Sequence, residues 1–123
     1  MNIKLVSQDG SGIPADTETV YVSAALDENN PDIKAARALN IPVKQRSDLL
    51  AEVFHGYPFG IAVGGTSGKT TPTAMIGYIF DMLGQKPCLV NGGMLRNYEQ
   101  LKGLPNFIYN EGRFCIIEAD ESD

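Results

Sequence analysis

The stretch "IAVGGTSGKTTPTAMIGYIF" (residues 61–80) decides how the rest of the chain is read. A short apolar run stops at paired glycines, a lysine follows, and a long apolar pattern of helical period begins. Glycines at 64, 65 and 68 let the backbone curl so that successive N–H groups turn inward. The helix that starts beside Lys69 adds the unpaired N–H groups of its first turn. Together these make a cradle for polyphosphate oxygens. In it the backbone of Gly65, Thr66, Ser67, Gly68, Lys69, Thr70 and Thr71 would hold the phosphates of a nucleotide. Lys69 would reach the outer phosphates and stabilise charge there, and the Thr70 hydroxyl would ligate Mg2+. The position of the first glycine in the general phosphate-loop pattern is occupied by Val63. A strand before the turn and a helix from about residue 69 to 83, ended by Gly84, supply the context that such a motif needs.

Downstream, "PCLVNGG" reads as a strand, and an irregular stretch with Gly103, Pro105 and Asn106 follows. The last element is "RFCIIEADESD", an apolar strand ending in carboxylates. Hard carboxylate oxygens at the carboxyl edge of a parallel sheet suit a Mg2+ nucleotide site. Glu118 closes the apolar run and is the expected metal ligand. Asp120, two residues on, projects the same way if the strand continues. Gly92 and Gly93 end another strand on this edge, either as a plain turn or to let a substrate approach the backbone.

Upstream, "TVYVSAAL" (residues 19–26) reads as a buried strand. Asn30 is placed to cap a helix with Pro31 at its first position, and Asn40 suits its end. "IPVK" is a short strand, and "RSDLLAEVF" a helix burying Leu49, Leu50, Val53 and Phe54. Strand, helix, strand, helix implies an α/β fold of parallel sheets joined by crossover helices. "HGYPFG" (residues 55–60) breaks the rhythm and marks a domain boundary, giving domains 1–58 and 59–123. The single histidine, His55, reads as a helix-end or surface group.

Of the 123 residues 43% are apolar and 20% charged, and the net charge is −5. An acidic chain without basic clusters predicts no nucleic-acid partner, and no apolar run is long enough to span a bilayer. Cys88 and Cys115 lie inside apolar runs and read as buried strand thiols of a reducing, cytoplasmic compartment.

Taken in chain order, "VSAAL", "NNPDIKAARALNIPVKQRSDLLAEVF", "GTSGKTT", "VNGG" and "EADESD" resemble the ATP-dependent Mur ligases of peptidoglycan synthesis, over residues 19–123. "EADESD" resembles most the alanine-adding branch, which joins L-alanine to UDP-N-acetylmuramate. A related murein-peptide recycling ligase usually has tyrosine where Ser122 stands. Ser67 and Pro72 replace the histidine and threonine common in the alanine-adding branch, and the upstream serine pair is reduced to Ser23. The resemblance implies the later part of a Rossmann-like UDP-sugar domain followed by the first part of a phosphate-loop ATPase domain. It implies an acyl phosphate intermediate and an amide product, with catalytic roles for Lys69 and Glu118 and with Asp120 and Ser122 facing the sugar nucleotide. Purine contacts and the residues that orient the amine would lie beyond Asp123. An ATP-binding module without ligase activity and a small-molecule kinase stay open as alternatives, although no arginine-rich lid follows the loop. A sheet so interrupted would leave an edge unpaired and the helix face of Ile76, Ile79, Phe80 and Leu83 uncovered, which predicts marginal folding or self-association.

Overall fold

The computed structural model describes residues 3–93 and 106–119. They form two compact units that divide between Leu50 and Ala51.

The first unit holds two parallel strands, β1 (Val20–Val22) and β2 (Val43–Gln45), joined through helix α1 (Pro31–Ala38). Asn30 caps α1, its side chain accepting from the Asp32 N–H at 2.9 Å, and Pro31 opens the helix, where a missing N–H costs nothing. Asn40 ends the helix in the left-handed region at φ 57, a conformation that asparagine tolerates better than most residues. Ile33, Ala36 and Ile41 are buried. The expected strand over residues 19–26 is shorter. It stops at Val22, and the chain turns there, with the Leu26 N–H donating to the Ser23 carbonyl.

The unit division falls inside helix α2 (Arg46–His55). This helix is less buried than its pattern suggests: Leu50, Val53 and Phe54 are half-buried and Leu49 is exposed. His55 is an exposed helix-end residue set edge-on to the Phe54 ring at 5.7 Å.

The second unit is a four-stranded sheet of β3 (Phe59–Val63), β4 (Cys88–Val90), β5 (Phe107–Ile108) and β6 (Phe114–Glu118) in the order β3-β6-β4-β5. β3, β6 and β4 are parallel, as the strand–helix rhythm predicts. β5 is not: this two-residue edge strand runs antiparallel to β4, from a stretch read as irregular. Two residues carry too little pattern to be recognised before their partner is known. Helix α3 (Thr70–Met82) links β3 to β4 and crosses the sheet over β6.

The core of this unit is Leu89 and Ile116, both fully buried, with Ile61, Ala74, Ile76, Phe80 and Ile108 against them. Ile76 and Phe80 therefore face the sheet, contrary to the expected uncovered face. They lie on the inward arc of α3, while Met75, Tyr78, Ile79, Met82 and Leu83 form its exposed arc. Gly77 is the close-approach point, since a Cβ there would sit 2.7 Å from Leu89 Cδ2. Cys88 and Cys115 are register partners and buried free thiols. The hydrogen bond with Cys88, then burial, pushes the Cys115 thiol up from its ordinary value.

Candidate functional site

The glycine turn joins β3 to α3 at the carboxyl edge of the parallel strands. Gly65 has φ 140 and Gly68 φ 75, values that L side chains rarely adopt, so both glycines are required by the backbone and not by packing. Residues on either side of the turn are in ordinary conformations, and Lys69 is already helical at φ −64, ψ −39. Lys69 Nζ donates to the Gly65 carbonyl at 2.6 Å, which folds its cationic stem across the loop. Pro72 stands in the first turn of α3, where an N–H has no helical partner to lose. None of the helix's own first-turn residues is acidic.

The acidic strand end lies beside this loop. β3 and β6 pair to their last residues, Val63 against Glu118, and the Ala119 N–H donates to the Val63 carbonyl at 3.0 Å. Glu118 is thereby brought to the start of α3. Thr70 Oγ1 donates to Glu118 Oε1 at 2.9 Å, and the Gly92 N–H donates to Glu118 Oε2 at 2.6 Å. Two of the predicted site residues, Thr70 and Glu118, are thus in direct contact, with Lys69 next in the chain. Asp120 and Ser122 lie outside the described residues.

Gly92 and Gly93 have a role that the sequence left open. A Cβ on Gly92 would fall 2.8 Å from Glu118 Oε2, and one on Gly93 would fall 2.6 Å from Thr70 Cγ2. The paired glycines make room for the carboxylate and for the threonine. Gly92→Ala is therefore expected to cost little stability, because the obstructing atom is the end of a flexible side chain. It would push Glu118 off Thr70 and weaken divalent-metal binding by about tenfold. Urea unfolding beside a Mn2+ titration reads both effects. A loss of stability without a loss of metal affinity would contradict this role. Asn91, just before these glycines, was not singled out from the sequence; the signal available was a polar residue directly after "CLV".

The donor set suits Mg2+ and a polyphosphate. The described residues contain no group of three or more His, Cys, Asp or Glu side chains that could cage a metal alone. Mg2+ commonly takes one or two protein oxygens and completes its shell with phosphates and water. Thr70 Oγ1 and Glu118 Oε1, 2.9 Å apart at the end of the loop, are such a pair of oxygens. No described helix is long and apolar enough to cross a membrane.

Residues 2–58 match the model of the Mur ligase family, catalytic domain, a match that ends before the glycine turn. Similarity to curated proteins continues through the turn. A UDP-N-acetylmuramate–L-alanine ligase of Baumannia cicadellinicola is 43% identical over 108 residues, 88% of this chain and 21% of the relative. One from Maricaulis maris is 38% identical over 120 residues, 98% of this chain and 23% of that protein. The chain thus spans between a fifth and a quarter of the length of these relatives. Among solved structures, UDP-N-acetylmuramate–alanine ligase MurC of Thermotoga maritima superposes with a TM-score of 0.83 at 28% identity, over 96% of this chain and 26% of that one. The ligase from Neisseria meningitides that joins UDP-N-acetylmuramate to L-alanyl-gamma-D-glutamyl-meso-diaminopimelate gives 0.65 at 24% identity, over 85% of this chain and 33% of that one, a likeness of fold alone.

Proposed function

Because the chain belongs to the Mur ligase family, we propose that it carries the phosphate site of an ATP-dependent ligase joining L-alanine to UDP-N-acetylmuramate in the cytoplasm. Residues 1–58 would be the later part of the sugar-nucleotide domain, and 59–123 the first part of the ATPase domain. The observation that carries the reading is the tie from Thr70 to Glu118 beside a loop with two left-handed glycines. It supports the reading because it joins a hydroxyl at the start of α3 to a carboxylate at the end of β6, two oxygens that would serve as metal ligands.

The reaction divides into two steps. The muramoyl carboxylate attacks the γ-phosphorus of ATP, ADP leaves, and an acyl phosphate remains. The amine of L-alanine then adds to the acyl carbon, loses a proton, and phosphate departs as the amide forms. In the first step the N–H groups of residues 65–71 hold the β- and γ-phosphates. Lys69 places its ammonium against the oxygens where charge grows, an arrangement that needs no reorganisation during transfer. Thr70 and Glu118 would hold Mg2+, which supplies charge neutralisation to the phosphates. Asp120 and Ser122 would face the sugar nucleotide.

The test uses a polypeptide in which this chain is continued to the length of its relatives, supplied with ATP, UDP-N-acetylmuramate and hydroxylamine. A hydroxamate formed without added amine would support acyl transfer. ADP release with a phosphorylated hydroxyl and no hydroxamate would instead identify a kinase. Product formed with a tripeptide but not with L-alanine would move the chain to the recycling ligases.

A further inference from the structure

Asn91 is 4% exposed, and its Oδ1 has no hydrogen-bond partner among the described residues. A buried acceptor left unmatched costs on the order of 1–3 kcal/mol, so its occurrence in a native fold asks for a donor. The sheet register says where that donor would stand. Leu89 pairs with Ile116 and Val90 with Ile117, so one further step sets Asn91 beside Glu118. Side chains alternate along a strand. Leu89 and Ile116 share the core under α3, so Asn91 and Glu118, each two residues on, share the face that leads to the start of α3.

The amide of Asn91 is also fixed in orientation. Its Nδ2 donates to the Gly93 carbonyl at 3.1 Å, which leaves Oδ1 as the atom turned elsewhere. Its own backbone N–H donates to the Asn106 carbonyl at 2.9 Å, so the residue is anchored to the β5 side as well. Both oxygens of Glu118 already have donors, Thr70 Oγ1 and the Gly92 N–H. What the site holds in surplus is therefore one neutral carbonyl acceptor next to a carboxylate. That combination matches a hydrated divalent cation, whose waters donate outward to acceptors beyond the directly bound oxygens.

We propose that Asn91 is a positioning residue of the metal site, with two separate functions for its two amide atoms. Nδ2 closes the Gly92–Gly93 turn and so aims the Gly92 N–H at Glu118. Oδ1 accepts a hydrogen bond from a water bound to the divalent cation. The proposal rests on the reading of Thr70 and Glu118 as metal ligands, and its test separates the two.

Mn2+ is titrated into this chain in the presence of a non-hydrolysable ATP analogue, and free Mn2+ is followed by its electron paramagnetic resonance signal. Analogue binding in EDTA is measured alongside. Asn91→Leu, which keeps the volume and removes the acceptor, is expected to weaken Mn2+ by about tenfold, leaving metal-free analogue binding unchanged. Asn91→Asp keeps an oxygen there but loses the Nδ2 donor, and is expected to hold Mn2+ more tightly than Asn91→Leu and less tightly than the parent. Glu118→Gln is the control for the underlying reading. If Glu118→Gln weakens Mn2+ and Asn91→Leu does not, the proposal for Asn91 falls and the metal site stands. If neither changes Mn2+ affinity, or the parent takes up no Mn2+, the metal site itself falls and this proposal with it. Asn91→Asp as weak as Asn91→Leu would show that Oδ1 is not the operative atom. Should circular dichroism show that Asn91→Leu does not fold, Asn91→Ala, which also removes the acceptor, is read in its place by the same criteria.

Discussion

Lys69→Ala is expected to weaken Mg·ATP binding by about a hundredfold, the equivalent of about 3 kcal/mol for a hydrogen bond to a charged group. The ammonium lies 2.6 Å from the Gly65 carbonyl, so it is held over the loop before any ligand arrives. Little side-chain freedom then remains to be lost when phosphate replaces or joins that carbonyl. The substitution removes the cation from a site whose loop donors are neutral N–H groups. Calorimetric titration of Mg·ATP into parent and variant reads the change directly. Lys69→Met separates charge from packing, because it keeps most of the aliphatic stem. A variant that binds nearly as well as the parent would mean that the loop does not cradle phosphate, and the proposed function would lose its foundation.

Leu89→Ala should remove about 2–5 kcal/mol from the second unit, a large share of the roughly 5–15 kcal/mol that holds a typical domain folded. Leu89 is fully buried at the centre of the sheet, in register with Ile116 and under α3. Its Cδ atoms lie where Gly77 has no side chain, 2.7 and 2.9 Å from the position of a Cβ. Gly77→Ala alone should therefore overpack the core, even though alanine is the better helix former by about 1 kcal/mol. In the Leu89→Ala background the same alanine enters vacated space, so the two effects should be strongly non-additive and partly compensating. Urea unfolding of both single variants and the double variant tests this. Additive losses would show that Gly77 and Leu89 do not share one packing site.

The local features were legible early because each depends on a few consecutive residues. Asn30 caps a helix through its own neighbour Asp32, and the conformations of Gly65 and Gly68 follow from the absence of a Cβ. The helix over 70–82 and the apolar strand that ends in Glu118 likewise announce themselves by period and composition. Direction within the helix was harder. Ile76 and Phe80 turn inward and Met75, Ile79 and Leu83 outward, yet all are apolar, so the pattern alone does not say which arc meets the sheet.

By itself the sequence determined that there is an α/β chain with a phosphate turn and an acidic strand end, since propensity, capping and glycine sterics act over short range. Only the tertiary structure decided what those pieces do to one another. Thr70 and Glu118 are 48 residues apart, and Gly92 and Glu118 are 26 apart. They meet because β6 inserts between β3 and β4, where Ile116 and Leu89 form the buried core against α3. The same insertion makes Gly92 and Gly93 necessary, because a side chain at either position would meet Glu118 or Thr70.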